Sequence, residues 1–457
     1  MRFVMFDIDC LRPDHLGCYG YSRPTSPTID AIANDAVIFE NYFCADSPCL
    51  PSRMGFASGR FGINNGVVSN VQSGARFRIE TNDYVGPRAE NEMLMRRLRS
   101  VGYDTISFTN FADRHNEPWF TAGWSEFHTV NLKGGAETAE EINERVLPWI
   151  KSYGKRDNYF LHINYWDTHR CYKMDASWAD RFKDHPVATP FPDEQQIANH
   201  QSLTGPFTSH GQFKDDKSPF SLMPGSISNR NDFNTMVTAY DASIAYVDWH
   251  VEQVLNALDQ QGVLDDTVII FTSDHGDAFG EHGIYTDHVC ADECIHHIPL
   301  IMRVPSISST QRHVDSLVYN VDLSATLCDL VGASIPEYWD GYSFVPALSG
   351  KPFSKRDYLV WGHALYTVQR AVRTQTHLMI RTYDTYQYQT FAPVELYQIK
   401  EDPYQQHDLA SSNVEQLYQL DHFMNQWVHE QRTKPHFRGD PMDLVLAERK
   451  TKISKRS

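Results

Sequence analysis

Three short apolar runs, each ending in acid or histidine, constrain this chain more than any other feature. They are "RFVMFDID" (2–9), "NYFLHINYWDTH" (158–169) and "TVIIFTSDHGD" (267–277). Their hydrophobicity is too continuous for half-exposed strands. Each reads as a central strand of a parallel sheet, buried on both faces, with polar residues at its carboxyl end. Helical patterns lie between them. "PTSPTIDAIANDAVIFENYF" predicts a helix and then a strand around Val37–Phe39. "ENEMLMRRLRSVGYDTISFTN" predicts an amphipathic helix, a stop at Gly102 and a strand. In "YDASIAYVDWHVEQVLNALDQQG", Ile244, Val247, Val251, Val254, Leu255 and Leu258 keep the three-four spacing of a helix that Gly262 ends.

This alternation predicts an α/β fold: a large, wound, mostly parallel sheet between helices, spanning residues 1–350. Residues 171–232 are irregular and rich in Pro, Ser, Asn and Asp, as expected of an insertion over one face. "LSGKPFSKRD" marks a boundary. Beyond it, "YLVWG", "RAVRT" and "HLMIRTYD" predict an antiparallel sheet, followed by a helix around 413–430, so residues 351–457 read as a smaller α+β domain. The basic tail "ERKTKISKRS" reads as loose.

With 457 residues, 41% of them hydrophobic, the chain can bury a sizeable core. Its net charge of -17 argues against nucleic acid and anionic membrane as partners. It does not exclude a small anionic substrate, because a metal and a few arginines make a local positive pocket. No stretch is long and apolar enough to span a membrane. The opening "MRFVMFDIDC" runs straight into a strand, from which a cytoplasmic location is expected, or a periplasmic or secreted one if a leader precedes it. The eight cysteines are expected to be mostly free, buried thiols. Cys290 and Cys294 in "CADEC" could face one way on a helix, but no second pair at zinc spacing accompanies them.

Asp7 and Asp9, two apart on one strand, direct both carboxylates to one face, and Asp274 and His275 end another strand. Asp, Asp and His together suit a hard divalent cation, although each pair alone could simply cap a turn. In "SPCLPSRMGFASGR" (47–60), Pro51 suits the first turn of a helix and puts Cys49 at its N-terminus. An anion is favoured there, and a lowered thiol pKa is expected. Arg53, one turn on, would bind an anion beside it. The alternative for Cys49 is a small buried side chain.

"CLPSRMGFASGR" resembles the signature of the sulfatases, in which this cysteine is oxidised to formylglycine by a maturation enzyme. "FDIDCLRPDHLGCYGY", "GYDT", "NYWDTH", "SDHGDAFGEHG" and "ELYQIKEDPYQQHDLA" agree in order, so the resemblance covers nearly the whole chain. It implies an alkaline-phosphatase-like fold. It also implies one divalent cation, usually calcium, on Asp9, the modified Cys49, Asp274 and His275. Arg53 would then steady the formylglycine and the sulfate, and His169 would reach the sulfate or ester oxygen. One hydroxyl of the hydrated aldehyde attacks sulfur in line, and the second expels sulfate.

The sequence departs from that pattern in places. Its first-strand acids alternate around Ile8, so Asp7 is either a ligand or a neighbour of one. Asn110 and Ala112 stand where relatives carry lysine and histidine, with Arg114 or His115 as substitutes. Asp287 takes the place of another lysine, and the polar role there is expected of His288. The expected substrate is a sulfated saccharide such as a glycosaminoglycan fragment, with His363, Tyr366 or Arg370 at the pocket rim. The competing readings are a phosphonate monoester or phosphodiester hydrolase, and a non-catalytic carbohydrate-binding descendant. The oligomeric state is not legible in the sequence.

Overall fold

A computed structural model describes residues 1–77, 93–115, 117–305, 307 and 312–454. The first residues of the helical reading that begins at Glu90, and the last three of the basic tail, lie outside them.

The main sheet has eight strands. Their order across it is Arg312–Val314, Val37–Phe39, Leu300–Arg303, Thr267–Thr272, Arg2–Ile8, Tyr159–Tyr165, Asp104–Phe108 and Glu126–His128. Leu300–Arg303 runs antiparallel to both neighbours, and every other pairing is parallel. Arg2–Ile8 lies in the middle, paired from Phe3 to Ile8 with Phe160 to Tyr165 on one side. On the other, Arg2 to Asp7 pair with Thr267 to Thr272.

Both faces of that central strand are buried, which explains its unbroken hydrophobicity. Val4, Phe6 and Ile8 pack with Ile142 and Val146 of helix Ala139–Tyr153 and with Ile244, Val247 and Val251 of helix Arg230–Gln260. Phe3 and Met5 pack on the other side with Leu94 and Leu98 of helix Leu94–Ser100 and Leu323 and Leu327 of helix Asn320–Val331. Each such side chain contributes roughly 1.5–3 kcal/mol relative to an exposed position, so solvent-facing registers are strongly disfavoured.

Helix Arg230–Gln260 starts ten residues before the expected Tyr240. The Asn229 side chain caps it by accepting the Asp232 N–H at 3.0 Å, and Phe233, Met236 and Val237 extend the buried stripe. The insertion is pinned rather than loose. Tyr172, Ile197, Met223 and Ile227 enter the same core, and Phe191 stacks on Tyr404 at 4.8 Å.

A second sheet of five strands orders Val394–Gln398, His377–Asp384, Val368–Arg373, Leu359–His363 and Asp46–Ser47. The first four are antiparallel. The fifth comes from far upstream and pairs parallel, Gly362 with Asp46 and His363 with Ser47. Leu420 and Met424 of helix Val414–Thr433 cover one face of this sheet. Trp361, Ala371 and Ile380 face Phe43, Ala45 and Tyr319 of the main body on the other.

The tail departs from expectation. Pro441–Ser454 is helical, because Met442 and Val445 bury against Val68, Ala364 and Val368. "CADEC" is not one helix, since Cys290 precedes the short helix Glu293–His296. All eight cysteines are free thiols. No helix among the described residues is long and apolar enough to cross a membrane.

Candidate active site

The carboxyl ends of the two central strands and the helix Cys49–Ser58 meet at one buried point. Ligands favour this end of a parallel sheet. The helix is fastened there by polar bonds at its start. Asn70 Oδ1 accepts the Leu50 N–H at 3.0 Å. Ser52 Oγ donates to the Asp274 carbonyl at 2.6 Å. Asn320 Nδ2 donates to the Ser52 carbonyl at 3.0 Å while its Oδ1 accepts the Ala45 N–H at 3.1 Å. The glycine-arginine pair closes the helix. Gly59 holds φ +63, and a Cβ there would stand 2.3 Å from the Trp339 ring. Arg60 donates to the Asn64 carbonyl at 2.9 Å.

Asp9, Cys49, Asp274 and His275 are all buried, and one potential ligand atom of each lies within 4.8 Å of the others. Cys49 Sγ is 3.1 Å from His275 Nε2. His275 Nδ1 lies 2.9 Å from the Gly276 carbonyl, to which it donates, so in the neutral ring Nε2 carries the lone pair facing Cys49. Asp274 Oδ1 accepts the backbone N–H groups of Cys10 at 3.2 Å and His275 at 3.0 Å, which leaves Oδ2 for the cluster. Gly276 permits this crowding, because a Cβ there would meet the Cys294 carbonyl oxygen at 2.1 Å.

Arg53 is the cation among these acids. Its Nη2 donates to Asp9 Oδ2 at 2.9 Å, its Nε to Asp274 Oδ2 at 3.2 Å and its Nη1 to Asp7 Oδ2. Burial alone would raise the Asp9 pKa, but the cationic groups around it, Arg53 and His275 among them, outweigh it and hold Asp9 below its ordinary value. Burial would likewise lower His275, and Asp274, Asp9 and Asp277 reverse that. Asp7 and Asp9 both reach Arg53, as the strand spacing predicts, yet Asp7 is not one of the four converging donors. Its Oδ2 is shared by Arg53 and His162 Nε2, the latter at 3.1 Å.

The expected lowering of the Cys49 pKa is not found. The thiol is raised, first by burial and then by the negative charges of Asp9 and Asp274. The helix terminus acts over a short range, and two carboxylates in a dry site outweigh it. A thiol in this setting is a poor nucleophile.

His288 and His169 flank Cys49, and the three form a second group of converging donor atoms. His288 Nδ1 donates to Asp277 Oδ1 at 3.0 Å. Burial and His275 depress the His288 pKa, but Asp287 and the bond to Asp277 dominate and raise it to about 10, which keeps the ring protonated and able to donate. His169 Nδ1 donates to the Arg170 carbonyl at 2.7 Å, and its Nε2 accepts from Arg114 Nη2 at 3.0 Å.

His115 lies outside both groups. Its ring tilts against Phe111 at 4.7 Å, its Nε2 is buried without a hydrogen-bond partner among the described residues, and burial with Arg114 lowers its pKa to about 3. Asn110 supports the loop, accepting the Val130 N–H at 2.7 Å and donating to Glu137. His363 is buried against Ser47 at 2.8 Å, and Arg370 is tied to Asp440 at 2.8 Å. Asp277, which holds His288, is not among the residues singled out from sequence, although it is the last acid of "SDHGD".

A buried donor cluster at the strand ends, a cysteine-bearing helix laid across it and a small sheet gripping that helix's entry define an alkaline-phosphatase-like α/β fold. A family model described as sulfatase matches residues 3–333, and one described as N-sulphoglucosamine sulphohydrolase, C-terminal, matches 280–434. The chain belongs to the sulfatase family and is a sulfuric ester hydrolase. It is 22% identical to an N-acetylglucosamine-6-O-sulfatase of Bacteroides thetaiotaomicron, over 85% of this chain and 78% of that protein. Its fold matches that of a protein solved with its substrate D-glucosamine-2-N,6-O-disulfate (TM-score 0.74, 17% identity, 95% of this chain and 99% of that one). It also matches the phosphonate monoester hydrolase of Agrobacterium radiobacter (TM-score 0.71, 20% identity, 93% and 95%).

Proposed function

We propose that the enzyme removes sulfate from a sulfated saccharide of the glycosaminoglycan type, using Cys49 converted to formylglycine and a divalent cation, calcium. The observation that carries this reading is the convergence of Asp9, Cys49, Asp274 and His275 beside Arg53 and the His288–Asp277 pair. The donor set fits a cation. It offers two carboxylates and an imidazole lone pair, and a formylglycine at 49 would add oxygen in place of sulfur. Once in place, these groups supply an acidified hydroxyl at position 49 as nucleophile.

The chain's own residues do the rest. Arg53, held by carboxylates on every nitrogen, presents fixed positive charge to the sulfate oxygens. His288, kept protonated by Asp277, gives its proton to the leaving alcohol oxygen. His169 is neutral, with both ring nitrogens engaged by Arg114 and the Arg170 carbonyl, and lines the site beside the ester without donating a proton. The relatives named for N-acetylglucosamine-6-O-sulfate and Delta 4,5-hexuronate-2-O-sulfate support a sugar substrate.

Peptide mass spectrometry across Cys49, on protein made with a maturation enzyme, combined with a screen of sulfated saccharides, tests this. An unmodified thiol in a host that matures a control sulfatase would sink it. A second reading, phosphonate monoester hydrolysis, has support from the Agrobacterium radiobacter fold match. Sulfate and phosphonate esters of one alcohol separate the two, and preference for the phosphonate would select the second.

A further inference from the structure

One edge of the site carries polar groups whose hydrogen-bonding capacity is only partly used among the described residues. Arg170 follows His169 directly. Its Nη2 donates to the Gln212 carbonyl at 3.0 Å, and its guanidinium lies over the Phe207 ring, 4.1 Å from the centroid. These two contacts fix the plane of the group. Its Nε is buried without a hydrogen-bond partner among the described residues. Its Nη1 stands 3.5 Å from Asp287 Oδ2, too far for a good hydrogen bond. Asp287 Oδ1 accepts the His288 N–H at 2.8 Å, so Oδ2 is the free acceptor. Tyr366 packs on the same Phe207 ring that Arg170 covers, and its hydroxyl makes no hydrogen bond among the described residues. The Tyr366 ring meets Phe207 edge-on at 5.7 Å and Tyr386 at 5.8 Å, and Tyr386 is 47% exposed.

An open guanidinium–carboxylate pair has no net charge. A second sulfate or carboxylate placed on it gains from Arg170 and loses to Asp287. A pair of hydroxyls satisfies both: each oxygen can accept from Arg170 and each O–H can donate to Asp287. The aromatic wall beside the pair suits the apolar face of a pyranose ring. Asp287 Oδ1 stands 3.7 Å from His288 Nδ1, and the His288 ring is 5.8 Å from that of His169, so a ring seated on the pair is the one that bears the departing sulfate. We infer that Arg170, Asp287 and Tyr366 form a subsite that reads neutral neighbouring hydroxyls on the sulfated ring and discriminates against a second anionic group there. This rests on the sulfated-saccharide reading given above.

The test uses the matured full-length enzyme with monosulfated hexosamines and uronates, their disulfated counterparts, and 4-nitrophenyl sulfate, which has no hydroxyls. The wild type is expected to prefer the best monosulfated sugar over its disulfated counterpart by at least about tenfold. Arg170→Gln is expected to lower the ratio of saccharide to aryl sulfate kcat/KM by about tenfold to a hundredfold, mainly through KM. Tyr366→Phe, which removes only an unbonded hydroxyl and leaves the packing intact, is expected to lower that ratio about threefold to tenfold. Unchanged ratios, equal losses on the aryl sulfate, or preference for the disulfated sugar would overturn the subsite alone. Turnover of aryl sulfate with no saccharide turned over by the wild type would overturn the substrate reading and the subsite with it.

Discussion

Arg114 donates through Nη2 to His169 Nε2 across 3.0 Å, which settles which way His169 handles protons. Its Nδ1–H is already given to the Arg170 carbonyl, so the ring is neutral and its acceptor is engaged. Burial lowers its pKa, and Arg114 and His288 add to that against Asp9. Arg114→Gln is therefore expected to cost about 2 kcal/mol of transition-state stabilisation, roughly thirtyfold in kcat/KM. The thermal midpoint should move little, because Arg114 is half-buried. Steady-state kinetics on matured enzyme check this, and full activity in the variant would remove Arg114 from the site.

Cys49→Ala is expected to bring turnover of every sulfate ester to background while shifting the melting temperature by only a few degrees, about 1 kcal/mol or less. The side chain is small, and the helix is held by Asn70, Ser52 and Asn320 rather than by the thiol. A variant that keeps most of its activity would place the nucleophile elsewhere.

Asp274→Asn is expected to lose bound cation and activity together, because Asp274 Oδ2, which also accepts from Arg53, is the oxygen turned toward the cluster while Oδ1 takes two backbone N–H groups. Dialysis of the wild type against a chelator should have the same effect, and added Ca2+ should reverse it. Elemental analysis of both proteins is the measurement. Recovery with Zn2+ or Mn2+ but not with Ca2+ would assign a different ion, in keeping with the imidazole in the donor set.

Folding stability should fall on both sides of neutral pH for opposite reasons. Ser47 Oγ lies between His296 Nε2 at 2.9 Å and His363 Nδ1 at 2.8 Å. Burial lowers His296 to about 3 and His363 well below its ordinary value. Depressed histidines contribute stability that is complete above the unfolded value of about 6.5 and is lost as pH falls, at up to ~1.4 kcal/mol per pH unit each. His282 has the other sign. Burial opposes its charge, but Asp292 at 2.7 Å and Glu395 at 3.0 Å raise its pKa well above normal. Its contribution is complete below about 6.5 and is lost as pH rises through the folded value. Urea denaturation at pH 5, 7 and 9 should show the acid loss reduced in His363→Gln and the alkaline loss reduced in His282→Gln. Parallel curves for wild type and variants would refute the assignment.

The strand ends were legible because the signal is local. An unbroken apolar run requires burial on both faces, and the polar residues that close it then share one edge of the sheet. Asp9, Asp274 and His275 follow from that; helix spacing after Pro51 puts Cys49 and Arg53 together, and the resemblance to the sulfatase signature, not the spacing, singles out Cys49. What stayed hidden depends on distant partners. Arg170, which the sequence does not single out, and Tyr366, expected at the rim, are nearly 200 residues apart in sequence and meet only through Phe207 and Asp287. The Cys49 shift runs opposite to the sequence expectation because a helix terminus is visible in sequence, whereas the depth of burial beside two carboxylates is not. The helical tail was missed because its charged residues outnumber the few apolar ones that bury.

The short strand Asp46–Ser47 and its partner Leu359–His363 also impose an order of events on a growing chain. Ser47 is made 316 residues before His363, which at about 5–20 residues per second is an interval of roughly 15–60 s. Until that partner strand arrives, the segment entering the Cys49 helix has no sheet to join, and the cysteine is open to another protein. Once the sheet closes, Cys49 is 1% exposed. An enzyme that alters this residue chemically, as proposed above, would therefore work against a clock set by the length of the intervening chain.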